Sequence, residues 1–128
     1  MADKKVLVVD DEVHIIHVVA LKLRNNGFEV MTADNGANGF ELACKEQPDI
    51  VVTDCQMPIL SGLEMVAKLR ECESTRGIPV IMLTARSFEI EREQREELGI
   101  SECLSKPFSP KELLRSVEDV LHCQTVTG

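Results

Sequence analysis

Five short strand-like runs recur along the chain, the first, third and fourth of them aliphatic, each followed by a stretch of helical periodicity, and this alternation constrains the fold more than any other feature. Val6–Val9 precedes a segment, Glu12–Asn25, with apolar residues at Ile16, Val19, Ala20 and Leu23. That is the spacing of one helix face, and Gly27 follows as a C-cap candidate. Phe28–Ala33 reads as a second strand. Asn35 and Gly36 punctuate, and a helix carrying Ala37, Phe40 and Cys44 runs to about Gln47, where Pro48 stops it. Asp49–Thr53 is a strand with Ile50, Val51 and Val52 continuous, Met57–Gly62 a turn-rich loop, and Leu63, Val66, Ala67 and Arg70 mark a third helix. Ile78–Leu83 is followed by a charged helix, Arg86–Leu98, ended by Gly99. Ser101–Leu104 is a short fifth strand. Ser109 is placed to cap a last helix with Pro110 at its first position and Leu113, Leu114, Val117, Val120 and Leu121 on one face. Strands apolar on both faces imply a parallel sheet covered by helices on both sides, an α/β fold.

In an open parallel sheet, ligands bind beyond the carboxyl ends of the strands. The first strand ends in Asp10 and Asp11, the third in Asp54, the fourth in Thr84, and the fifth just before Lys106. Three carboxylates at one sheet edge repel one another unless a cation joins them. All-oxygen ligands suit Mg²⁺, which keeps several of its waters. Lys106 adds a point charge and Thr84 a hydroxyl donor, so an anion site stands beside a metal site. A phosphoryl group would satisfy all three, with the central Asp54 as the nucleophile that receives it.

Composition narrows the alternatives. A chain of 128 residues suits one domain, and with aromatics at 3% its core must be aliphatic. A net charge of −8 argues against direct nucleic-acid binding and against anionic membrane surfaces. No signal-peptide pattern and no apolar run of about 20 residues is present, so a cytoplasmic protein without membrane insertion is expected. The cysteines, Cys44, Cys55, Cys72, Cys103 and Cys123, show no CxxC spacing and are expected to be reduced thiols, mostly buried.

The motifs Val8-Val9-Asp10-Asp11-Glu12, Thr53-Asp54-Cys55-Gln56-Met57-Pro58 with Gly62, Leu83-Thr84-Ala85 and Ser105-Lys106-Pro107-Phe108 together resemble the receiver domain of two-component response regulators. The likeness covers about residues 4–122, and residues 1–128 are read as one receiver domain. The resemblance implies a flavodoxin-like, doubly wound, five-stranded sheet in the order 2-1-3-4-5 with five helices on its two faces. It implies that Asp54 accepts a phosphoryl group from a sensor histidine kinase or phosphotransfer protein. It further implies that Asp11, Asp54 and the Gln56 backbone carbonyl coordinate Mg²⁺ directly while Asp10 acts largely through water. Thr84 would bind a phosphoryl oxygen, Lys106 would pair with the phosphoryl charge, and the Lys106–Pro107 bond would be cis. The expected output is a change in contacts with a downstream protein target, a phosphorylation-dependent homodimer among them, and the only reaction promoted is phosphorylation and dephosphorylation of its own Asp54.

One departure concerns that output. The family usually places an aromatic residue where Cys103 stands, and a thiol is too small to swing inward as a ring does. Coupling is therefore expected through the loop after Thr84, using Arg86 and Phe88. Gln56 and Arg86, each two residues beyond a site residue, are candidates for tuning the lifetime of the phosphorylated state. His14 and His17, at i and i+3, lack a third metal ligand and read as surface histidines. The run Glu89–Glu97 reads as a solvated helix face. Two other functions compete: a Mg²⁺-dependent phosphatase with an aspartate nucleophile, and a receiver-like binding module that is not phosphorylated. Gln56 stands where such phosphatases carry a second acid. A flavin or dinucleotide site would need a Gly-rich loop where Asp11-Glu12-Val13-His14 stands.

Overall fold

The structure, a computed structural model, describes residues 4–57, 60–85 and 92–127. Its elements alternate strictly: β1 (Lys5–Val9), α1 (Val13–Asn25), β2 (Glu29–Ala33), α2 (Gly36–Glu46), β3 (Ile50–Asp54), α3 (Gly62–Glu71), β4 (Val80–Ala85), α4 (Arg92–Leu98), β5 (Ile100–Lys106) and α5 (Pro110–Thr127). All strand pairings are parallel, and the order is β2-β1-β3-β4-β5. The doubly wound arrangement implied by the motifs is therefore the one observed.

The two-residue period of each central strand sorts its side chains onto two cores. Val6, Val8, Ile50, Val52, Ile81 and Leu83 face α1 and α5, meeting Val19, Leu23, Leu113 and Val117. Leu7, Val9, Val51, Val80 and Met82 face the other way, against Ala43 of α2, Met65, Val66 and Leu69 of α3, and Leu98 of α4. Each fully buried aliphatic side chain of this kind contributes about 1.5–3 kcal/mol. The edge strands β2 and β5 bury only part of their residues, which is why their sequences, EVMTA and ISECLSK, alternate or mix polar and apolar residues.

Helix starts follow the local chemistry. Asn35 caps α2 by accepting from Asn38 N–H, so Gly36 is the first residue of the helix and not part of the preceding turn. Ser61 and Glu64 form a reciprocal capping box on α3. Ser109 accepts from Glu112 N–H ahead of α5, as its position suggested. Gln47 closes α2 in the left-handed conformation at φ 47° immediately before Pro48, and Gly27 (φ 90°) follows α1. The fifth strand is longer than the four residues read from sequence, and it pairs with β4 through a register shift between Val80 and Ile81. The start expected for the fourth helix, Arg86, lies outside the described residues. Among the described residues, no helix is long and apolar enough to cross a membrane.

The expectation that the thiols are mostly buried needs correction. Cys55 is buried, whereas Cys44, Cys72 and Cys103 are half-buried, because they sit at a helix end, a helix cap and an edge strand. The Cys123 side chain lies outside the described residues.

Candidate functional site

The parallel register brings the ends of β1, β3, β4 and β5 to one edge of the sheet. Val9 pairs with Thr53, Asp54 with Leu83, and Ala85 with Lys106. Asp10, Asp11 and Asp54 follow or end their strands there, and one carboxylate oxygen from each lies within 4.8 Å of the others. Asp10 is fully buried and Asp54 is 7% exposed, while Asp11 faces solvent.

Lys106 reaches into this cluster from the end of β5. Its Nζ donates to Asp54 Oδ2 at 3.2 Å, lies 3.0 Å from Asp10 Oδ2, and is 3.8 Å from Glu12 Oε1. The contact with Asp10 is an ion pair without the alignment of a hydrogen bond, and Asp10 Oδ2 remains a buried oxygen with no hydrogen-bond donor. Asp10 Oδ1 accepts from Glu12 N–H at 2.9 Å, which fixes the carboxylate at the start of α1. The Lys106–Pro107 peptide is cis, as the motif implied.

One ammonium does not neutralise this site. Burial, then the Asp10 charge, raises Asp54 from its ordinary 3.8 to about 6, against the opposing pull of Lys106 and of Gln56 N–H, which reaches Asp54 Oδ1 at 3.4 Å. Burial raises Asp10 as well. The carboxylates in turn hold the Lys106 ammonium above its usual value despite its partial burial. A cluster of buried, under-compensated carboxylate oxygens with one exposed acid at its mouth fits a hard cation that takes oxygen ligands and keeps waters.

Thr84 is buried one strand away. Its hydroxyl donates to Leu104 C=O of β5 at 3.4 Å, and no hydrogen bond joins it to the carboxylates among the described residues. The Gln56 side chain is exposed. Arg86 and Phe88 lie outside the described residues. Cys103 is half-buried on the core face shared with Met82, next to α4. His14 and His17 are both exposed and line different grooves.

Two residues had a larger part than the sequence suggested. Glu12, noted only as part of a motif, is the third acid facing Lys106. Gly62, at the start of α3, donates its N–H to Cys55 C=O at 2.9 Å. A Cβ there would collide with the Asp54 backbone carbonyl. Glycine thus lets the loop fold back against the strand end that carries the central carboxylate.

Comparison with known proteins agrees with this geometry. The profile of the response regulator receiver domain matches residues 6–118. The chain is 36% identical to the phosphate regulon transcriptional regulatory protein PhoB of Pseudomonas aeruginosa, over 94% of this chain and 53% of that protein. It is 37% identical to the alkaline phosphatase synthesis transcriptional regulatory protein PhoP of Bacillus subtilis, over 93% of this chain and 49% of that one. The chain thus spans about half the length of these curated relatives. Among solved structures, the chemotaxis response regulator CheY4 of Vibrio cholerae superposes with a TM-score of 0.85 at 32% identity, covering 92% of this chain and 98% of that one. The receiver domain of a P. aeruginosa sensor histidine kinase, solved with magnesium coordinated in its active-site cleft, gives 0.83 at 29% identity, covering 94% and 99%. Receiver domains of this kind bind Mg²⁺ at an acidic cluster and take part in two-component signal transduction. The chain belongs to the receiver-domain family of two-component response regulators.

Proposed function

We propose that Asp54 is the phosphoryl acceptor of this chain and that Asp10, Asp11, Asp54 and the Gln56 backbone carbonyl would hold Mg²⁺ beside it. The observation that carries this reading is the placement of a buried carboxylate, Asp54, between two further acids and the Lys106 ammonium at the edge where a parallel sheet binds ligands. Bound there, the cation would supply the positive charge that the site lacks and screen the charge gathering on the phosphoryl oxygens.

The chain's own residues do the rest. Asp54 must be ionised to attack, and with a pKa near 6 it is largely so at neutral pH. One of its oxygens bonds to phosphorus as the P–N bond of a donor phosphohistidine breaks, and the imidazole leaves with the bonding pair and takes up a proton. Lys106, already at Asp54 Oδ2, pairs with the arriving charge. The Thr84 hydroxyl is held to Leu104 by a bond of 3.4 Å, long enough to exchange at small cost for a phosphoryl oxygen. Its release from β5 gives the output side of the sheet a signal to respond to. Arg86 and Gln56 tune how long the acyl phosphate lasts, and Cys103 takes the place of the family's aromatic residue in that response.

In this reading residues 1–128 form one receiver domain in the cytoplasm. It is phosphorylated by a sensor histidine kinase or phosphotransfer protein and acts on a downstream protein target or by forming a homodimer, without contacting nucleic acid itself. It turns over no substrate other than its own Asp54 phosphate. Incubation with acetyl phosphate and Mg²⁺ followed by intact mass tests the core of the reading. A gain of one phosphate that requires Mg²⁺ and is absent in Asp54→Asn is expected. No gain with any small phosphodonor, or a gain retained in Asp54→Asn, overturns it.

A further inference from the structure

Parallel strands send every crossover helix back in the same direction, so α2 and α3 both run from the Asp54 edge of the sheet to the opposite edge. Their C-terminal ends therefore lie side by side. Cys44 stands in the last turn of α2, and Cys72 is the C-cap of α3. The two helices pack closely because Gly39 of α2 has no side chain. A Cβ there would stand 2.8 Å from Met65 Sδ of α3. Ala43 and Leu69, both fully buried, continue the contact toward the helix ends.

The backbone at Cys72 is held in place. Thr75, itself fully buried, donates its hydroxyl to Leu69 C=O at 2.7 Å. Thr75 and Arg76 N–H donate to Cys72 C=O at 3.1 and 2.9 Å. Both thiols are free and half-buried, and Cys72 is near enough to Cys44 to raise it.

We infer that Cys44 and Cys72 form a modification site, at which a peroxide closes an intramolecular disulfide tying the end of α2 to the end of α3. The Cys72 thiolate attacks one peroxide oxygen, the O–O bond breaks, and Cys72 becomes a sulfenic acid as the other oxygen leaves as water. The Cys44 sulfur then attacks the sulfenic sulfur, the S–O bond breaks, and a second water departs. Two thiols lose two electrons and two protons, and the peroxide is reduced to two waters. Burial and the neighbouring Cys72 raise the Cys44 thiol, so the second step rests on proximity and not on acidity. The other described thiols lie away from these two helix ends, Cys55 just after β3 and Cys103 within β5. Burial pushes Cys55 to about 11, and burial raises Cys103 as well. The bond would form at the edge opposite Asp54.

The purified chain is treated with hydrogen peroxide and digested with trypsin under non-reducing conditions. The expected product has lost about 2 Da and joins the peptide Asn25–Lys45 to Glu71–Arg76. The loss disappears in Cys44→Ser and in Cys72→Ser. The bridge closes a long loop in the unfolded chain, so it should raise Tm by on the order of 10 °C, reversibly with dithiothreitol. Wild-type protein that keeps both thiols reduced, stops at oxygen adducts of one cysteine, or links a different cysteine pair overturns the inference. So does a bridge that lowers Tm.

Discussion

Replacing Asp54 by Asn in metal-free buffer should stabilise the domain by an amount that grows with pH. In the unfolded chain Asp54 loses its proton near the ordinary 3.8, while in the folded chain it keeps it until about 6. Between those values the folded state binds more protons, so stability falls as pH rises through the window. The cost of the buried charge is fully present above pH 6 and absent below about 4. A displacement of roughly two units, at about 1.4 kcal/mol each, corresponds to about 3 kcal/mol. Asparagine keeps the shape and is neutral throughout. Lys106 loses one partner in the variant but keeps Asp10 at 3.0 Å and Glu12 at 3.8 Å. For a domain of this size the gain at pH 8 corresponds to about 10 °C in Tm. Thermal unfolding of both proteins in EDTA, followed by circular dichroism from pH 4 to pH 8, measures it. If the two proteins unfold together at pH 8, or if Asp54→Asn gains as much at pH 4 as at pH 8, the charge on Asp54 is not what destabilises the site.

Lys106→Ala acts in the opposite sense, because it leaves the fully buried Asp10 without its cation. A loss of about 3 kcal/mol at pH 8, read from urea midpoints, is expected, and an unchanged midpoint counts against the ion pair. Gly62→Ala drives a methyl group into the Asp54 carbonyl and should cost about 2–3 kcal/mol while reducing phosphate uptake from acetyl phosphate. Gly77→Ala, where a Cβ meets nothing within 4 Å, should be neutral in both assays. Arg70 donates to Leu98, Ile78, Arg76 and Gly99 carbonyls at 2.7–3.2 Å, joining the end of α3 to the end of α4. Arg70→Ala should lower stability by about 2–3 kcal/mol and speed amide hydrogen exchange around Leu98 and Gly99. Exchange unchanged there would mean that the clasp does not hold α4.

The sheet was legible because its central strands are apolar on both faces, and that pattern has few other solutions. Boundaries were less so at the edges. The seven residues of β5 include Ile100, Ser105 and Lys106, which lie beyond the run Ser101–Leu104 read as strand and which backbone pairing with β4 recruits into it. Gly36 read as punctuation because its helix depends on the Asn35 cap, a bond that single-residue preference does not reveal. At the site, the strand-end rule located Asp10, Asp11, Asp54 and Lys106 without any structure. It could not say that Thr84 turns its hydroxyl to Leu104, since a one-strand offset at the sheet edge decides that. Glu12 was hidden because its role depends on where Lys106 points, more than 90 residues later. The pairing of Cys44 with Cys72 has no local signature at all. It follows from two crossover helices ending at the same edge.

The charge balance explains why these acids tolerate one another at a buried edge. Each follows an aliphatic strand whose packing is set by residues such as Val8, Val9, Val52 and Thr53, all fully buried, so the carboxylates are placed by the core and not by their own attraction. The sheet cannot separate Asp10 from Asp54 without breaking the β1–β3 register. The cost is held in the ground state: burial, then the Asp10 charge, raises Asp54, and burial raises Asp10. Lys106 offsets only part of it. A divalent cation, or a cation together with a phosphoryl group on Asp54, lowers the energy of a site that the fold holds tense. The same tension predicts that Mg²⁺ raises the Tm of the wild-type chain more than that of Asp54→Asn, because the variant has lost both a ligand and the charge that the cation offsets. An equal rise in the two proteins would place the cation elsewhere.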